Sequence, residues 1–205
     1  MMPPRQSGVH NPPFALCSDH VRVAKRRIAA FGVDYLIIAT WIGLITAVGF
    51  GARAFLGIET APVLSQGDKL RGHAIAFLSL TLPVVLYFAI TESSRWQATI
   101  GKRVLGLRVQ TVSGARVPFG RSLARSTFKF LPWEIAHTAI WHVSGQPFVS
   151  MPAPINFLGY AVALAGAGAF AVAVVRGRGR TPYDLVAGTM VVEIPRDLPH
   201  RVAKT

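Results

Sequence analysis

The sequence is short of acidic residues and of cysteine, and it lacks the common catalytic motifs. Nine Asp and Glu residues stand against 22 Lys and Arg residues in 205 positions, which gives a formal net charge of +13. Cys17 is the single cysteine, so no disulfide can form within the chain and nothing indicates an oxidising compartment. The sequence also contains no G-x-S-x-G, no H-E-x-x-H and no zinc-type spacing of cysteines. We therefore expect no enzymatic activity, no bound metal and no cofactor.

Charge is nearly absent from three long stretches, and this absence defines the class of the protein. Hydrophobic residues make up 51% of the chain and charged residues only 15%, a composition typical of membrane proteins. Residues 28–50, 74–91 and 155–175 are close to the roughly 20 apolar residues that a membrane helix needs, and only the first contains a charge, Asp34. The first run starts late and lacks a cleavage site, so we interpret it as an anchor and not as a signal peptide. Pro83 should kink the second run.

The basic residues flank the apolar runs, and this placement decides how we interpret them. A nucleic-acid-binding protein gathers its cations on one soluble face, so we expect no nucleic-acid partner. Flanking cations are orientation signals in a bilayer, and they also attract anionic lipid headgroups. Lys and Arg are concentrated in the N-terminal flank, in residues 92–127 and in the tail from Arg176 onwards, and cytoplasmic segments carry the excess of these residues. We therefore predict a multipass protein of the bacterial inner membrane with both termini in the cytoplasm.

Both termini lie on one side only if the chain crosses the membrane an even number of times. The three clear runs leave residues 128–143 as the fourth candidate, an apolar segment interrupted by Pro132, Glu134 and His137. This segment either crosses the bilayer beside other helices or lies at its surface as an amphipathic helix. Parity favours crossing, so the predicted fold is an all-α integral membrane protein with about four transmembrane helices.

A small β element is predicted on the cytoplasmic side. Apolar and polar residues alternate between positions 104 and 119, and Ser113-Gly114 supplies a turn, so we predict a β-hairpin there. An isolated hairpin is only marginally stable in water, and we expect residues 187–194 to add a third strand. The predicted domains are a disordered tail at 1–17, a membrane domain at 18–194 and a second disordered tail at 195–205.

Three motifs follow one another in a fixed order: RRIAAFGVD at 26–34, TIGKRVLGLRVQTVSGARVPFGRSLAR at 99–125 and RTPYDLVAGTMVV at 180–192. In this ordered set the chain resembles the RDD family of bacterial membrane proteins, named for one arginine and two aspartates. The resemblance implies a multipass inner-membrane domain whose function is largely unassigned. Some members have been proposed as sodium–proton antiporters, and a eukaryotic relative as a membrane-complex scaffold. The positions that match the family pattern are Arg27, Asp34, Asp184, the turn Gly101-Lys102 and the basic pair Arg121 and Arg125.

Asp34 needs an explanation because a carboxylate inside a membrane span needs a partner or a function. Arg27 lies seven residues earlier, about 10 Å along a helix, so the two side chains cannot pair directly on a straight helix. We predict that a cation from another segment, such as Arg121 or Arg125, pairs with Asp34 and pins the helices together. The alternative is that Asp34 is a protonatable ion-coupling site.

The segment Thr181-Pro182-Tyr183-Asp184 predicts the first turn of a helix. Threonine is a good N-cap, proline fits the first helical position, and an acid three residues after the cap completes a capping box. We predict that Asp184 caps this helix and forms a salt bridge with a nearby arginine.

Glu134 and His137 are spaced i, i+3, as in metal-binding helix bundles. Such sites need a second set of ligands, for which the sequence offers only His142 and Glu92, whereas His73 is isolated in the sequence. We therefore interpret Glu134 and His137 as a polar stripe that faces the membrane interface.

The last apolar run contains a stripe of small residues at every fourth position. Small residues let membrane helices approach closely, including helices from a second copy of the chain. We therefore expect a homo-oligomer to form through Ala163, Ala167 and Ala171.

The predicted function is structural. We expect an inner-membrane protein in which Arg27, Asp34 and Asp184 lock the helices, most simply a scaffold within the membrane. The alternative is an ion or small-solute transporter, similar to a sodium–proton antiporter, that couples through Asp34. The later spans offer few polar groups, which counts against transport by a single protomer. An arginine at Asp34 would favour the scaffold, whereas Thr81 or Asn156 beside it would favour transport.

Overall fold

The computed structural model of the protein describes residues 13–58, 64–143, 147, 150–175 and 180–194. Helix dominates this part of the chain, with one small sheet. Most of the two predicted tails lies outside the described residues, and residues 13–17 already belong to the first helix. The elements in chain order are α1 (Pro13–Phe55), α2 (Gln66–Ala76), a π-helical turn (Phe77–Thr81), α3 (Leu82–Ser93), α4 (Ile100–Val104), β1 (Leu107–Thr111), α5 (Phe119–Trp141), α6 (Pro154–Val175), α7 (Pro182–Ala187) and β2 (Thr189–Glu193).

Three helical stretches in the described residues are long and apolar enough to cross a membrane. They are Val23–Phe55, Gln66–Ser93 and Pro154–Val174, and they coincide with the three apolar runs of the sequence. Large apolar side chains stay exposed along them, as expected where lipid covers the surface. Residues 128–143 are not among these stretches because they belong to α5, which starts earlier and includes several charged residues. The fourth crossing therefore stays a prediction.

The second stretch is irregular close to the predicted kink. Pro83 lies in the first turn of α3, and the preceding turn, Phe77–Thr81, is π-helical. Proline has no N–H, so the carbonyl of Ser79 loses its usual helical donor. The indole Nε1 of Trp41 on α1 donates to this carbonyl instead, at 3.0 Å. The irregular turn therefore ties the first span to the second.

Helix α5 is the packing centre of the fold, since it contacts α2, α3, α6 and α7. Its contact with α6 depends on glycines: a Cβ at Gly166 would lie 2.6 Å from Pro132 Cγ, and one at Gly159 would lie 2.6 Å from Ala139 Cβ. Small residues at these positions let the two helices approach closely. Among the predicted small-residue stripe, Ala163 is half-buried and Ala167 and Ala171 are exposed. The closest approach of α6 to α5 is thus made by glycines.

The β element differs from the predicted three-stranded hairpin. Strand β1 pairs antiparallel with β2 in a two-stranded sheet, with Val109 opposite Val191. Residues 112–118 form no strand, because Thr111 and Ala115 hydrogen-bond to each other through backbone and hydroxyl and close the chain into a tight turn. Helix α5 then begins within a few residues, which leaves no room for a return strand. Val117, from the expected second strand, instead packs into the small core beneath the sheet.

Candidate functional site

The first turn of α7 holds a buried carboxylate, as the sequence predicts. Thr181 is the N-cap, and a capping box with Asp184 is complete: the backbone N–H and the hydroxyl of Thr181 donate to Asp184 Oδ2 at 3.0 and 2.6 Å. Gly188, at φ 61°, ends the helix in the left-handed conformation that glycine adopts most readily. Thr189, at the start of β2, donates its hydroxyl to Asp184 Oδ1 at 3.1 Å. Local sequence thus places Asp184 in one fixed position.

Two arginines from distant segments meet this carboxylate. Arg27 on α1 lies 3.0 Å from Asp184 Oδ2, and Arg125 on α5 lies 2.8 Å from Asp184 Oδ1. All three side chains are buried, and Asp184 is 0% exposed. Burial alone would raise the pKa of the Asp184 carboxyl, but Arg125, Arg27 and the bonds from Thr181 together hold that pKa below its usual range. Asp184 is therefore ionised at neutral pH and joins α1, α5 and α7.

A second buried carboxylate extends the cluster. Glu92, near the end of α3, is 0% exposed and pairs with both Arg125 and Lys102 of α4. Arg125 therefore bridges Glu92 and Asp184. We call this set the charge network, and it consists of Arg27, Glu92, Lys102, Arg125 and Asp184.

A further cation, Lys129, lies beside the charge network on α5. Its Nζ is 3.4 Å from the ring centroid of Phe88 and 5.1 Å from that of Phe130. A cation over an aromatic face is attracted by the negative charge density of the ring. The Nζ of Lys129 thus lies against aromatic faces, next to Lys102, whose Nζ is 5.4 Å from the same Phe88 ring.

Asp34 is bound by neutral donors and not by the predicted cation. The carboxylate, 1% exposed, accepts hydrogen bonds from Tyr87 Oη at 2.9 Å, Thr99 Oγ1 at 2.6 Å and the backbone N–H of Gly101 at 2.9 Å. Within the described residues Asp34 forms no salt bridge, so the predicted pairing with Arg121 or Arg125 is wrong. The reason lies in the competition for cations: two other buried carboxylates already occupy Arg125.

The two basic residues of the predicted pair have different roles. Arg125 is 1% exposed and belongs to the charge network, whereas Arg121, one helical turn earlier, is exposed. In the described part of the chain Arg121 forms no salt bridge. Three participants in these buried sites were not predicted from the sequence: Tyr87, Thr99 and Glu92. Glu92 carried a signal, since it is the only acid among the many cations of residues 92–127, but Thr99 carried none.

Gly101 is required by the close approach of α4 to α1. A Cβ at this position would collide with the carbonyl of Ala30 and lie 2.9 Å from the carboxylate of Asp34. Thr99 is also the N-cap of α4, because its hydroxyl accepts from the backbone N–H of Lys102 at 3.3 Å. The Gly101-Lys102 turn therefore has two functions. Its glycine leaves space for the carboxylate of Asp34, and its lysine pairs with Glu92 in the charge network.

A second polar cluster forms between α2 and α5. His73 Nε2 lies 2.9 Å from Glu134 Oε1, and His137 Nδ1 lies 3.8 Å from Glu134 Oε2. We call His73, Glu134 and His137 the histidine cluster. Thr81 also donates to Glu134 Oε2, at 2.6 Å. Packing of α2 on α5 brings His73 to Glu134 and His137, so these two side chains face a neighbouring helix, and their location at the membrane interface stays a prediction.

An open cleft of about 670 Å³ lies beside β1, and its charged lining is basic. Arg103 stacks over the ring of Trp96 at 4.4 Å, and the buried Nε of Arg108 has no hydrogen-bond partner in the described part of the chain. None of the described residues that line this space is acidic. We call it the arginine cleft, and its lining consists of Arg95, Trp96, Gln97, Arg103, Arg108 and Ile194.

The part of the chain that contains these sites also matches a known protein family. A model of the RDD family matches residues 21–188. The chain belongs to the RDD family. It is a membrane-type protein of this family, and the arginine and second aspartate of the RDD pattern, Arg27 and Asp184, form a buried ion pair here. The first aspartate, Asp34, lies in a separate, hydrogen-bonded position.

A curated relative has no assigned function. The uncharacterized protein YxaI of Bacillus subtilis (strain 168) is 28% identical over 104 residues, which cover 48% of this RDD chain and 69% of that protein. No solved structure matches the chain with significance.

Proposed function

We propose that this RDD protein is a structural scaffold of the bacterial inner membrane and carries out no catalytic reaction. The observation that carries the proposal is the charge network, which joins α1, α3, α4, α5 and α7 through buried ion pairs. Buried charges are strongly destabilising when one partner is lost, so this arrangement resists large relative movements of those helices. A fixed set of helices suits a protein that holds other components in place.

We propose four membrane crossings with both termini in the cytoplasm. The Arg27–Asp184 contact brings the start of the first span close to the segment after the last span. Two points on one side of a bilayer are separated by an even number of crossings, and we therefore infer that α5 makes the fourth crossing. Helix α5 has 23 residues, about 34 Å, which is long enough to cross. The excess of Lys and Arg at this end supports a cytoplasmic location.

The proposed partners of this face are anionic lipid headgroups, which the arginine cleft complements in charge. Its three arginines share the lining with the exposed Trp96 and Ile194, and Val104, the residue after Arg103, is exposed as well. A basic pocket beside apolar surface suits a phosphate group whose acyl chains enter the bilayer. We further propose that the exposed Ala167 and Ala171 of α6 support a homo-oligomer.

Transport is the second candidate function, and one observation favours it. Asp34 is a buried carboxylate in the first span without a salt bridge in the described residues, as an ion-coupling carboxylate would be. The two side chains that would extend an ion path from it are engaged elsewhere: Thr81 donates to Glu134, and Asn156 donates to the carbonyl of Ala139. We therefore place the scaffold first.

Ion flux in proteoliposomes decides between the two candidates. The wild-type protein and the Asp34→Asn variant would be reconstituted at equal protein density and exposed to sodium and proton gradients. The scaffold predicts no flux above empty liposomes for either protein, together with lower membrane abundance of the variant. Flux by the wild type that Asp34→Asn abolishes at normal abundance would refute the scaffold and establish transport.

A further inference from the structure

The histidine cluster lies far from the charge network, and its groups are incompletely paired. His137 is twelve residues beyond Arg125 on α5, about 18 Å along the helix. Lys69 of α2 is buried nearby and donates its Nζ to the carbonyl of Val143 at 2.7 Å. Lys69 therefore pairs with a backbone carbonyl just past the end of α5 and not with Glu134. The contacts of Glu134 in this cluster are with the two histidines and Thr81.

We propose that His73, Glu134 and His137 bind a divalent transition-metal ion, with Zn²⁺ as the best match. Each residue offers one ligand atom, and these atoms all lie within 4.8 Å of one another. Two imidazoles and one carboxylate form a common ligand set for zinc, whereas calcium and magnesium prefer oxygen ligands alone. The proposal is independent of the scaffold function.

An unsatisfied nitrogen points to the same site. His137 is 7% exposed, and its Nδ1 has no hydrogen-bond partner among the residues that the structure describes, although it lies 3.8 Å from Glu134 Oε2. Buried polar atoms in proteins are nearly always paired, so an unpaired imidazole nitrogen beside a carboxylate and a second imidazole requires an explanation. A metal ion bound at Nδ1 would satisfy it.

Binding requires only a small contraction. Ligand atoms of a tetrahedral zinc site are about 3.3 Å apart, because each lies about 2.0 Å from the ion. The side chains of His73 and Glu134 are 16% and 19% exposed, so an ion can reach them and a coordination position stays open. The ring of His142, 5.5 Å from that of His73, is the nearest candidate for a fourth ligand.

The hydrogen bond from Trp141 determines which ring nitrogen of His137 carries the proton, and this position of the proton opposes metal binding at Nδ1. Its indole Nε1, which can only donate, lies 3.2 Å from His137 Nε2. Nε2 is thus the acceptor, and the proton of the neutral ring is on Nδ1. Metal at Nδ1 requires the proton to move to Nε2, and the bond from Trp141 must then break.

The test is metal titration of the intact protein, purified in detergent through a tag that contains no histidine. Zn²⁺ binding would be measured by calorimetry, and Co²⁺ binding by its visible absorption, which reports tetrahedral coordination. We expect one ion per chain, with affinity lowered roughly tenfold or more in His73→Ala, Glu134→Gln and His137→Ala. His200→Ala, which changes a histidine outside the cluster, should bind as the wild type does.

The Trp141→Phe variant distinguishes a metal site from a cluster that only stabilises the fold. Removing the indole N–H frees Nε2 of His137 to take a proton, so this variant should bind the metal more tightly than the wild type. Glu134→Gln keeps the size of the side chain, so it is the ligand variant least expected to misfold. Size-exclusion profiles of all variants would reveal misfolding. Absence of stoichiometric binding, or binding unchanged in all three ligand variants, would overturn the proposal.

Discussion

The charge network and the histidine cluster lie on the same helix, α5, and they differ in how completely their groups are paired. In the network, Arg125 bridges two fully buried carboxylates. Arg27 also pairs with Asp184, and Lys102 also pairs with Glu92. In the histidine cluster, Glu134 is part-exposed, and Nδ1 of His137 has no hydrogen-bond partner within the ranges that the structure describes. Complete pairing stabilises one arrangement of helices, whereas incomplete pairing leaves capacity for a ligand. The two ends of α5 are thus suited to different tasks.

Breaking the network at its centre should have the largest effect. Arg125→Met leaves Glu92 and Asp184 buried without their shared cation, and we expect the free energy of unfolding to fall by roughly 3–5 kcal/mol. Denaturant titration in detergent would measure it. Arg121→Met on the same helix is the matched control and should leave stability unchanged, because Arg121 is exposed. Equal losses in both variants would contradict the account.

A side chain that separates α4 from α1 should have the next largest effect on stability. Gly101→Ala places a methyl group against the carbonyl of Ala30 and the carboxylate of Asp34, which should cost about 1–3 kcal/mol. Gly120→Ala is the control, since a Cβ at Gly120 meets nothing within 4 Å. Thermal unfolding would compare the two. A Gly101→Ala protein as stable as Gly120→Ala would show that the approach is not tight.

Acid should loosen the network through Asp184. The folded-state pKa of this carboxyl lies below that of the unfolded chain, so its stabilising contribution is complete above about pH 4 and is lost as the pH falls through the folded-state value. We expect wild-type stability to fall steeply below pH 4. The stability of Asp184→Asn, lower at neutral pH, should change less over the same range. Parallel pH profiles of the two proteins would exclude Asp184 as the group responsible.

The histidine cluster should contribute least to stability when no metal is present. Glu134→Gln removes a part-exposed ion pair, and such pairs contribute below about 1 kcal/mol. The loss should therefore be much smaller than that of Arg125→Met, measured in the same denaturant with a chelator. A loss of equal size would mean that both ends of α5 lock the fold, and the contrast between them would disappear.

Much of the architecture is readable from local sequence. The three apolar runs predict three membrane-length helices, because length and hydropathy are properties of continuous segments. The capping box at Asp184 is confirmed, since it depends on residues three positions apart. The helical rise likewise excludes pairing of Arg27 with Asp34, and Arg27 pairs with Asp184 instead.

The parts that sequence missed depend on contacts between distant segments. Asp34 is bound by a tyrosine, a threonine and a backbone N–H, and neutral donors of this kind carry no charge pattern that identifies them in advance. His73 is 61 residues from Glu134, so only the packing of α2 on α5 reveals the histidine cluster. The hairpin was mispredicted because β1 pairs with a strand from the far end of the chain.

The central claim is that an ion pair between the first and last segments locks the fold. A double-mutant cycle on Arg27→Met and Asp184→Asn, measured as free energies of unfolding in detergent, tests it most directly. The account predicts that the double variant is more stable than the sum of the two single losses implies, by at least about 1 kcal/mol. Strictly additive losses would show that the two residues do not stabilise each other, and the locked scaffold would be contradicted.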